Sequence, residues 1–218
     1  AGTAGFTGNV RLRSDAVGGN SSTANGGTAI GGRARASTSG GQINIGTFFT
    51  TSAEAAGGNG TNGGNATGGI AGAFAGTGSI AIADVVSAST RAVGGNANVG
   101  LGGQGGSGTG GNAFVQANGT LTTNASITVG TGINVFADGT GGLGGAGGVF
   151  NGVTIAAGAG GVGLGGSNAT ANAADPAFNN GAYVLAQGDR GTVTTTGPVQ
   201  ATAIGTGGQG GVSPGTGA

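Results

Sequence analysis

Short segments in which apolar and polar side chains alternate recur along the chain. In residues 10–13, two aliphatic side chains alternate with two arginines, so an extended backbone would place each pair on its own face. Glycine interrupts nearly every window that could form a helix, at about 1 kcal/mol per interior position, and the pattern therefore predicts strands. The same alternation involves Arg33, Ala34, Arg35, Ala36, Ile43, Ile45, Ile80, Ile82, Ile127, Val129, Ile133, Val135, Ala137, Val153, Ile155, Val199, Ala201 and Ala203.

Several of these strands belong to a longer repeated template. It comprises an aliphatic alternating pair, a short break, a second strand of small residues and a double glycine, and it starts at Gln42, Ser79, Ser126 and Thr192. The starts lie 37, 47 and 66 residues apart. A repeated unit that cannot bury its own face is typical of a stacked architecture. We therefore predict an all-β fold for residues 1–218, a β-solenoid similar to a parallel β-helix, either as one repetitive domain or as a segment of a longer fibrous chain.

The number of coils follows from their expected length. A coil of about 20 to 25 residues predicts nine or ten coils in this chain. At about 4.8 Å per coil, the body would be about 45 Å long. That length is short for a fibre, so we expect chains to join end to end or the sequence to be one segment of a longer polypeptide.

Glycine accounts for 60 of the 218 residues. Without a β-carbon, two main chains can approach closely, which suits stacked backbone linked by tight turns. The stretches 102–112 and 141–148 carry glycine pairs at a spacing of three, which also suits bundled extended helices of the polyglycine II type. Flexible linkers are a third interpretation. The sequence favours Gly-rich turns, with polyglycine-II-like segments as the alternative.

The charge pattern and the length of the apolar runs argue against two classes of partner, nucleic acids and membranes. The formal net charge is zero and only 6% of the residues are charged. Because no basic run with interleaved aromatic residues is present, we expect no nucleic-acid partner. No apolar run approaches the roughly 18 residues that a bilayer span needs, and the start at Ala1 lacks the features of a signal peptide. We therefore expect no transmembrane segment.

The residue types that are missing also restrict the chemistry. The chain contains no His, Cys or Lys. Zinc, haem and iron–sulfur sites therefore lack their usual ligands, and neither a Ser–His–Asp triad nor a lysine Schiff base can form. The doubled glycines are not followed by the Asp of calcium-binding β-rolls. We predict no catalytic residue, no metal and no cofactor, and hence no enzyme.

Six asparagines begin an N-x-S/T sequence. Such sequons matter for glycosylation only if the host modifies secreted chains. Stacked asparagine side chains that form amide ladders are an equally good interpretation of the same residues. The six are Asn20, Asn59, Asn65, Asn118, Asn124 and Asn168.

Stretches bounded by double glycine and rich in Ala, Thr, Asn and Val cover most of the chain, for example GGNATGGIAGAFAGTGSIAIAD and GGNAFVQANGTLTTNASITVGTG. In composition they resemble the β-strand repeats of bacterial surface proteins in the style of filamentous haemagglutinins and autotransporter passengers. That resemblance implies an extracellular β-helix that serves in adhesion or as a structural fibre. The chain differs from that family in having no recognisable secretion domain or membrane anchor.

The aromatic residues supply the candidate contact sites. Phe48 and Phe49 are adjacent, so in a strand they face opposite sides and only one can enter the core. We select Phe48, Phe49 and Tyr183 as candidate residues for self-association or surface contacts. Coverage of the outward phenylalanine by a neighbouring loop is the alternative.

These features together favour an extracellular or cell-surface structural protein. Low charge, the absence of lysine and open strand edges at the ends of a solenoid all favour pairing with another copy. The expected function is that of a subunit of a self-assembling filament, sheath or surface layer, and the expected partner is a homo-oligomer. The alternative is an adhesin passenger that binds glycans or host surfaces, and a β-helix enzyme that acts on polysaccharides is a third candidate.

Overall fold

A computed structural model describes residues 2–98, 102–151, 153–165 and 181–212. These residues form 23 β-strands, which confirms the all-β prediction. None of them belongs to a helix, and so the described chain contains no helix that is long and apolar enough to cross a bilayer.

Four parallel sheets, A to D, contain all but two of the strands. Sheet A consists of β1 (Thr3–Phe6), β5 (Arg33–Ile45), β9 (Ile70–Ile82), β13 (Asn112–Asn118), β14 (Ala125–Val129), β20 (Ala182–Gln187) and β21 (Gly191–Thr195). Sheet B consists of β2 (Val10–Arg13), β6 (Phe49–Ser52), β10 (Val85–Ser89), β15 (Gly132–Phe136) and β22 (Val199–Thr202).

Sheets C and D are built from two-residue strands. Sheet C consists of β3 (Ala16–Val17), β7 (Ala55–Ala56), β11 (Ala92–Val93), β16 (Gly139–Thr140) and β23 (Gly205–Thr206). Sheet D consists of β4 (Ala29–Ile30), β8 (Ala66–Thr67), β12 (Gly108–Thr109) and β19 (Gly163–Leu164).

The chain visits the sheets in the order A, B, C and D and then returns to sheet A. We call one such circuit a pass; five passes begin at β1, β5, β9, β13 and β20. Each strand pairs in parallel with its counterpart in the next pass, because successive passes repeat the same template.

The register of this pairing matches the sequence template. Gln42 pairs with Ser79, Ser79 pairs with Ser126, and Ser126 pairs with Thr192. The starts of the four repeats are therefore stacked on one another, and their spacings of 37, 47 and 66 residues are the lengths of single passes. The predicted coil of 20 to 25 residues is wrong, and so are the predicted nine or ten coils and the 45 Å length. Five passes at about 4.8 Å span roughly 19 Å between the first and the last.

Sheets A and B face each other across the main core. Its members include Phe49, Ile80, Ile127 and Ile133, which are all fully buried. The three isoleucines come from the alternating segments of the sequence, whose aliphatic residues point inward while the polar residues between them point outward. The predicted period of two therefore identifies the core strands correctly in the central passes.

Sheets C and D face each other across a much thinner core. It contains only the alanines Ala29, Ala55, Ala66 and Ala92, with Ala16 packed against them. Alanine buries little apolar area per residue, so side-chain burial contributes little here. Beyond sheets C and D the chain continues into the Gly-rich segments that link them.

One element departs from the parallel arrangement. In the fourth pass, β17 (Gly148–Phe150) and β18 (Val153–Ile155) form an antiparallel hairpin. Asn151 begins its two-residue connection with a φ of 49°, the left-handed conformation that an Asn-Gly hairpin turn requires. The alternating pair Val153 and Ile155 is thus a strand, as predicted, but it lies outside the core.

Candidate functional site

The Gly-rich segments between sheets C and D form an ordered structure that we call the glycine wall. Each segment has an outgoing arm that leaves sheet C and, in the first four passes, a return arm that leads to sheet D. Hydrogen bonds join successive segments along the stack. The wall consists of residues 18–28, 57–65, 94–98 with 102–107, 141–151 with 153–162, and 207–212.

Hydrogen bonds in the outgoing arm repeat every three residues. In the triplet 57–59, the first N–H donates to the Val93 carbonyl of the next pass and the second to the Gly27 carbonyl of the previous pass. The third N–H, that of Asn59, donates to the side-chain oxygen of Asn20 at 2.8 Å. The triplets 94–96 and 141–143 repeat this pattern with the acceptors Thr140, Gly64 and Asn59, and Thr206, Gly106 and Asn96, respectively.

Steric contacts explain why the wall needs glycine. A β-carbon added to Gly58 would lie 2.0 Å from the Gly19 carbonyl oxygen, and one added to Gly95 would lie 1.9 Å from that of Gly58. No backbone oxygen can tolerate carbon at that distance. Gly142 and Gly208 repeat this contact, each at 1.9 Å from the glycine one pass below. We call these five residues the glycine column; Gly19, in the first pass, has no atom within 4 Å of its added β-carbon.

Three of the predicted asparagines bond successive passes of the wall, but through backbone N–H groups rather than through the predicted side-chain amide ladder. The side-chain oxygens of Asn20, Asn59 and Asn65 accept backbone N–H groups from the next pass at 2.8 to 2.9 Å. Each therefore replaces an acceptor that the backbone of the wall does not supply. Asn118 and Asn124 lie outside the wall, and Asn168 lies outside the described residues.

No further pass among the described residues covers the outer sides of the first and fifth passes. Phe6 is 48% exposed, whereas Ile45, at the same register position one pass higher, is 2% exposed. At the other end Val199 is 52% exposed, whereas its partner Ile133 is fully buried. Among the described residues, the N–H groups of Gly19 and of its neighbour Asn20 donate to no acceptor. Within the part of the chain that the structure describes, both the core and the backbone ladders thus lack partners at these two ends.

Charged side chains form a second candidate site where sheet B turns into sheet C. The carboxylate of Asp15 accepts hydrogen bonds from Arg13, from the Ser52 hydroxyl and from the Glu54 N–H. Burial by itself raises the pKa of Asp15. The hydrogen bonds and the Arg13 charge together lower it by more than burial raises it, so the pKa lies below its ordinary value.

Charged residues occupy the same position in the first four passes. We call Asp15, Glu54, Arg91 and Asp138 the charged column. Arg91 donates to Asp138 at 3.2 Å, and its guanidinium lies 4.4 Å from the ring centre of Phe136. Sequence analysis missed the column, although Glu54, Arg91 and Asp138 each lie twelve residues after a template start. A column-by-column comparison of the templates would have found it.

The three candidate contact residues lie in different environments. Phe49 is fully buried in the main core, whereas Phe48 is 46% exposed, as the opposite-faces argument predicted. Tyr183 is half-buried, stacks on Phe114 with ring centres 5.7 Å apart, and donates to the Gln116 side chain at 3.3 Å. The structure does not bring these residues together, and of the three only Phe48 presents a largely open aromatic ring.

An uncharged groove lies where sheet A turns into sheet B. It has a volume of about 630 Å³ and is lined largely by small residues, including Gly5, Gly46, Ala81, Ala83 and Gly130. Among the residues that the structure describes, no group of three or more carboxylates is arranged to hold a metal ion. Comparison with protein-family models, with curated proteins and with solved structures finds no match to this chain.

Proposed function

We propose that the chain is a β-solenoid with one polyglycine-II-like wall, and that it serves as a non-enzymatic structural subunit at the cell surface or outside the cell. Copies stack end to end and build a filament, sheath or surface layer. The four parallel sheets support the solenoid, since outside the hairpin the strands of successive passes pair with their counterparts in parallel. The three-residue hydrogen-bond repeat supports the polyglycine-like wall.

The observation that carries the proposal is the continuity of the repeat at the open ends. Gly208 lies at the top of the glycine column and Gly19 lies at its bottom. A second copy placed below the first would bring its Gly208 beneath Gly19, just as Gly19 lies beneath Gly58. Its Val199 would then cover Val10, so that both exposed core ends are buried. Unpaired parallel edges of this kind are templates for further pairing.

The low charge of the chain is consistent with this assembly. Six cations and six anions in 218 residues leave the net charge at zero, and so copies do not repel one another. The resemblance to bacterial surface repeats supports the extracellular location.

A single methyl group tests the proposal. Gly19→Ala should leave the isolated chain folded, because nothing lies within 4 Å of the added carbon. In a stack, the same carbon would collide with the Gly208 carbonyl of the copy below, as it would at every internal position of the column. We expect Gly19→Ala to abolish filaments in electron micrographs and light scattering while the circular dichroism spectrum stays that of the parent.

Gly5→Ala is the matched control at the same open edge. Its added carbon also meets nothing, but the equivalent positions in later passes carry the side chains of Asn44, Ala81 and Thr128. Gly5→Ala should therefore stack end to end as the parent chain does, and only this end-to-end assembly is compared, because Gly5 also lines the uncharged groove described above. Equal assembly of the two variants, or a parent chain that remains monomeric at all concentrations, would contradict end-to-end stacking.

The charged column favours a second candidate function. An arginine over an aromatic ring beside carboxylates, as at Arg91, Phe136 and Asp138, is a combination suited to binding glycans of a host surface. An adhesin of this type should lose glycan binding with Arg91→Ala in a glycan array and retain end-to-end assembly.

A further inference from the structure

The hairpin of the fourth pass carries an exposed apolar surface. Val149, Phe150 and Val153 are each between 63% and 66% exposed. No charged residue occurs anywhere between Asp138 and Asp175. Large apolar side chains that cluster on a projecting, uncharged element are typical of an interaction surface. Phe150 and Val153 are cross-strand partners and share one face of the hairpin, whereas Val149 lies on the other face. We call the pair Phe150 and Val153 the apolar knob.

The groove at the turn from sheet A to sheet B is uncharged and largely apolar, as the knob is. None of its lining residues is charged, and Ala81 forms a depression between the larger side chains of Asn44 and Thr128, its partners in the adjacent passes. The column of small residues Gly46, Ala83 and Gly130 extends the depression along the stack. With about 630 Å³, the groove has room for several apolar side chains.

The knob and the groove belong to different parts of one molecule. The hairpin leaves the glycine wall, where the flanking Ala146 and Gly147 are hydrogen-bonded to Gly102 and Val212. The groove lies beyond sheets C and D, at the far corner of the main core. The hairpin is therefore anchored at the glycine wall, on the opposite side of the molecule, and the groove of the same chain stays open.

We propose that the knob of one copy inserts into the groove of a second copy and so joins neighbouring stacks side by side. This inference rests on the proposed assembly, and it specifies the lateral contact that would turn a filament into a sheath or layer. A contact between two different surfaces of the same molecule is heterologous, and it propagates when its rotation does not close a ring. The apolar area of both surfaces is removed from water only when the two surfaces meet, and this burial is the driving force for the contact.

Variants of each surface test the contact separately. Phe150→Ser removes the largest side chain of the knob, and Ala81→Leu or Thr128→Trp fills the groove from its outward face. Each should weaken lateral association at least roughly 30-fold, the effect of losing one central interface residue, as measured by sedimentation and by the width of assemblies in electron micrographs. Val17→Ser is the control, since it removes an even more exposed aliphatic side chain outside both surfaces.

Mixing the variants provides the decisive measurement. Both variants are made in the Gly19→Ala background, which blocks end-to-end stacking. The Phe150→Ser chain keeps its groove and the Ala81→Leu chain keeps its knob, so a mixture can then form one-to-one lateral pairs and nothing larger. Thr128→Trp replaces Ala81→Leu if the latter fails to fold. We expect pairs in the mixture and none in either variant alone.

Three outcomes with the variants would overturn the lateral contact. They are unchanged lateral association of Phe150→Ser, no pairs in the mixture of folded variants, and an equal loss with Val17→Ser. Single, unbundled filaments of the parent chain would overturn this inference and leave the proposed function intact. Loss of filaments in Gly19→Ala with lateral pairing retained would support both.

Discussion

Ile82 and Gly95 lie in the same pass, yet they stabilise it in different ways. Ile82 is 2% exposed in the core between sheets A and B, where aliphatic side chains exclude water. Gly95 lies in the wall, donates to the Gly64 carbonyl and has the Gly58 carbonyl where a side chain would be. One half of each pass thus depends on side-chain volume and the other half on its absence.

The comparison explains how a chain with so few large apolar residues can form an ordered stack. The core needs large side chains only in sheets A and B, because the wall requires none. There the backbone pairs with itself and with asparagine oxygens, so that its polar groups are satisfied without a conventional sheet.

The largest effect should follow from adding one methyl group to the wall. In Gly95→Ala the new carbon would lie 1.9 Å from the Gly58 carbonyl oxygen. Because the colliding atoms are backbone on both sides, two passes must separate, and we expect a loss of at least about 3 kcal/mol in the free energy of unfolding. Thermal and urea denaturation, with Gly5→Ala as the control, measure the loss. A variant as stable as the control would mean that the wall is not closely stacked.

A smaller effect of opposite sign is expected in the core. Thr51 is fully buried, and its hydroxyl oxygen has no hydrogen-bond partner. Thr51→Val removes that unpaired group at nearly constant volume and should stabilise the protein by about 1 kcal/mol. The melting temperature should rise by about 2 to 4 °C for a chain of this size. A fall would show that the hydroxyl has a partner in solution.

The smallest effect concerns the corner between the two regions. Because the pKa of Asp15 is lowered in the folded state, its carboxylate stabilises the fold above about pH 4, and this contribution disappears as the pH falls through the folded pKa. Asp15→Asn should therefore reduce stability by less than about 1 kcal/mol near neutral pH, since Arg13 is exposed. Below the folded pKa, variant and parent should converge. Denaturation curves between pH 2 and pH 7 measure this, and a constant difference would exclude the charge as its cause.

The sequence predicted the core half of each pass better than the wall half. Alternating aliphatic residues such as Ile80 and Ile82 have one strong preference, since a one-residue slip would expose them all. The two-residue strands Ala16–Val17 and Ala29–Ile30 carry no such signal, and so the predicted coil was too short. The glycine pattern alone does not distinguish tight turns from extended, polyglycine-II-like segments.

Two other features had signals that went unused. The hairpin follows the rule that Asn-Gly between apolar runs makes a tight turn, here at residues 151–152. The charged column appears when the templates are aligned, although its hydrogen bonds depend on a stacking register that no single repeat contains.

The steric contact at Gly95 also makes the main core and the glycine wall differ in how their sequences can evolve. A shortened core residue such as Ile82 can be compensated by a larger neighbour, because the gap is bounded by side chains that mutation can enlarge. At Gly95 the obstacle is the Gly58 carbonyl oxygen, which every amino acid possesses. No second substitution can remove it, so a mutation in the glycine column can be reverted but not repaired.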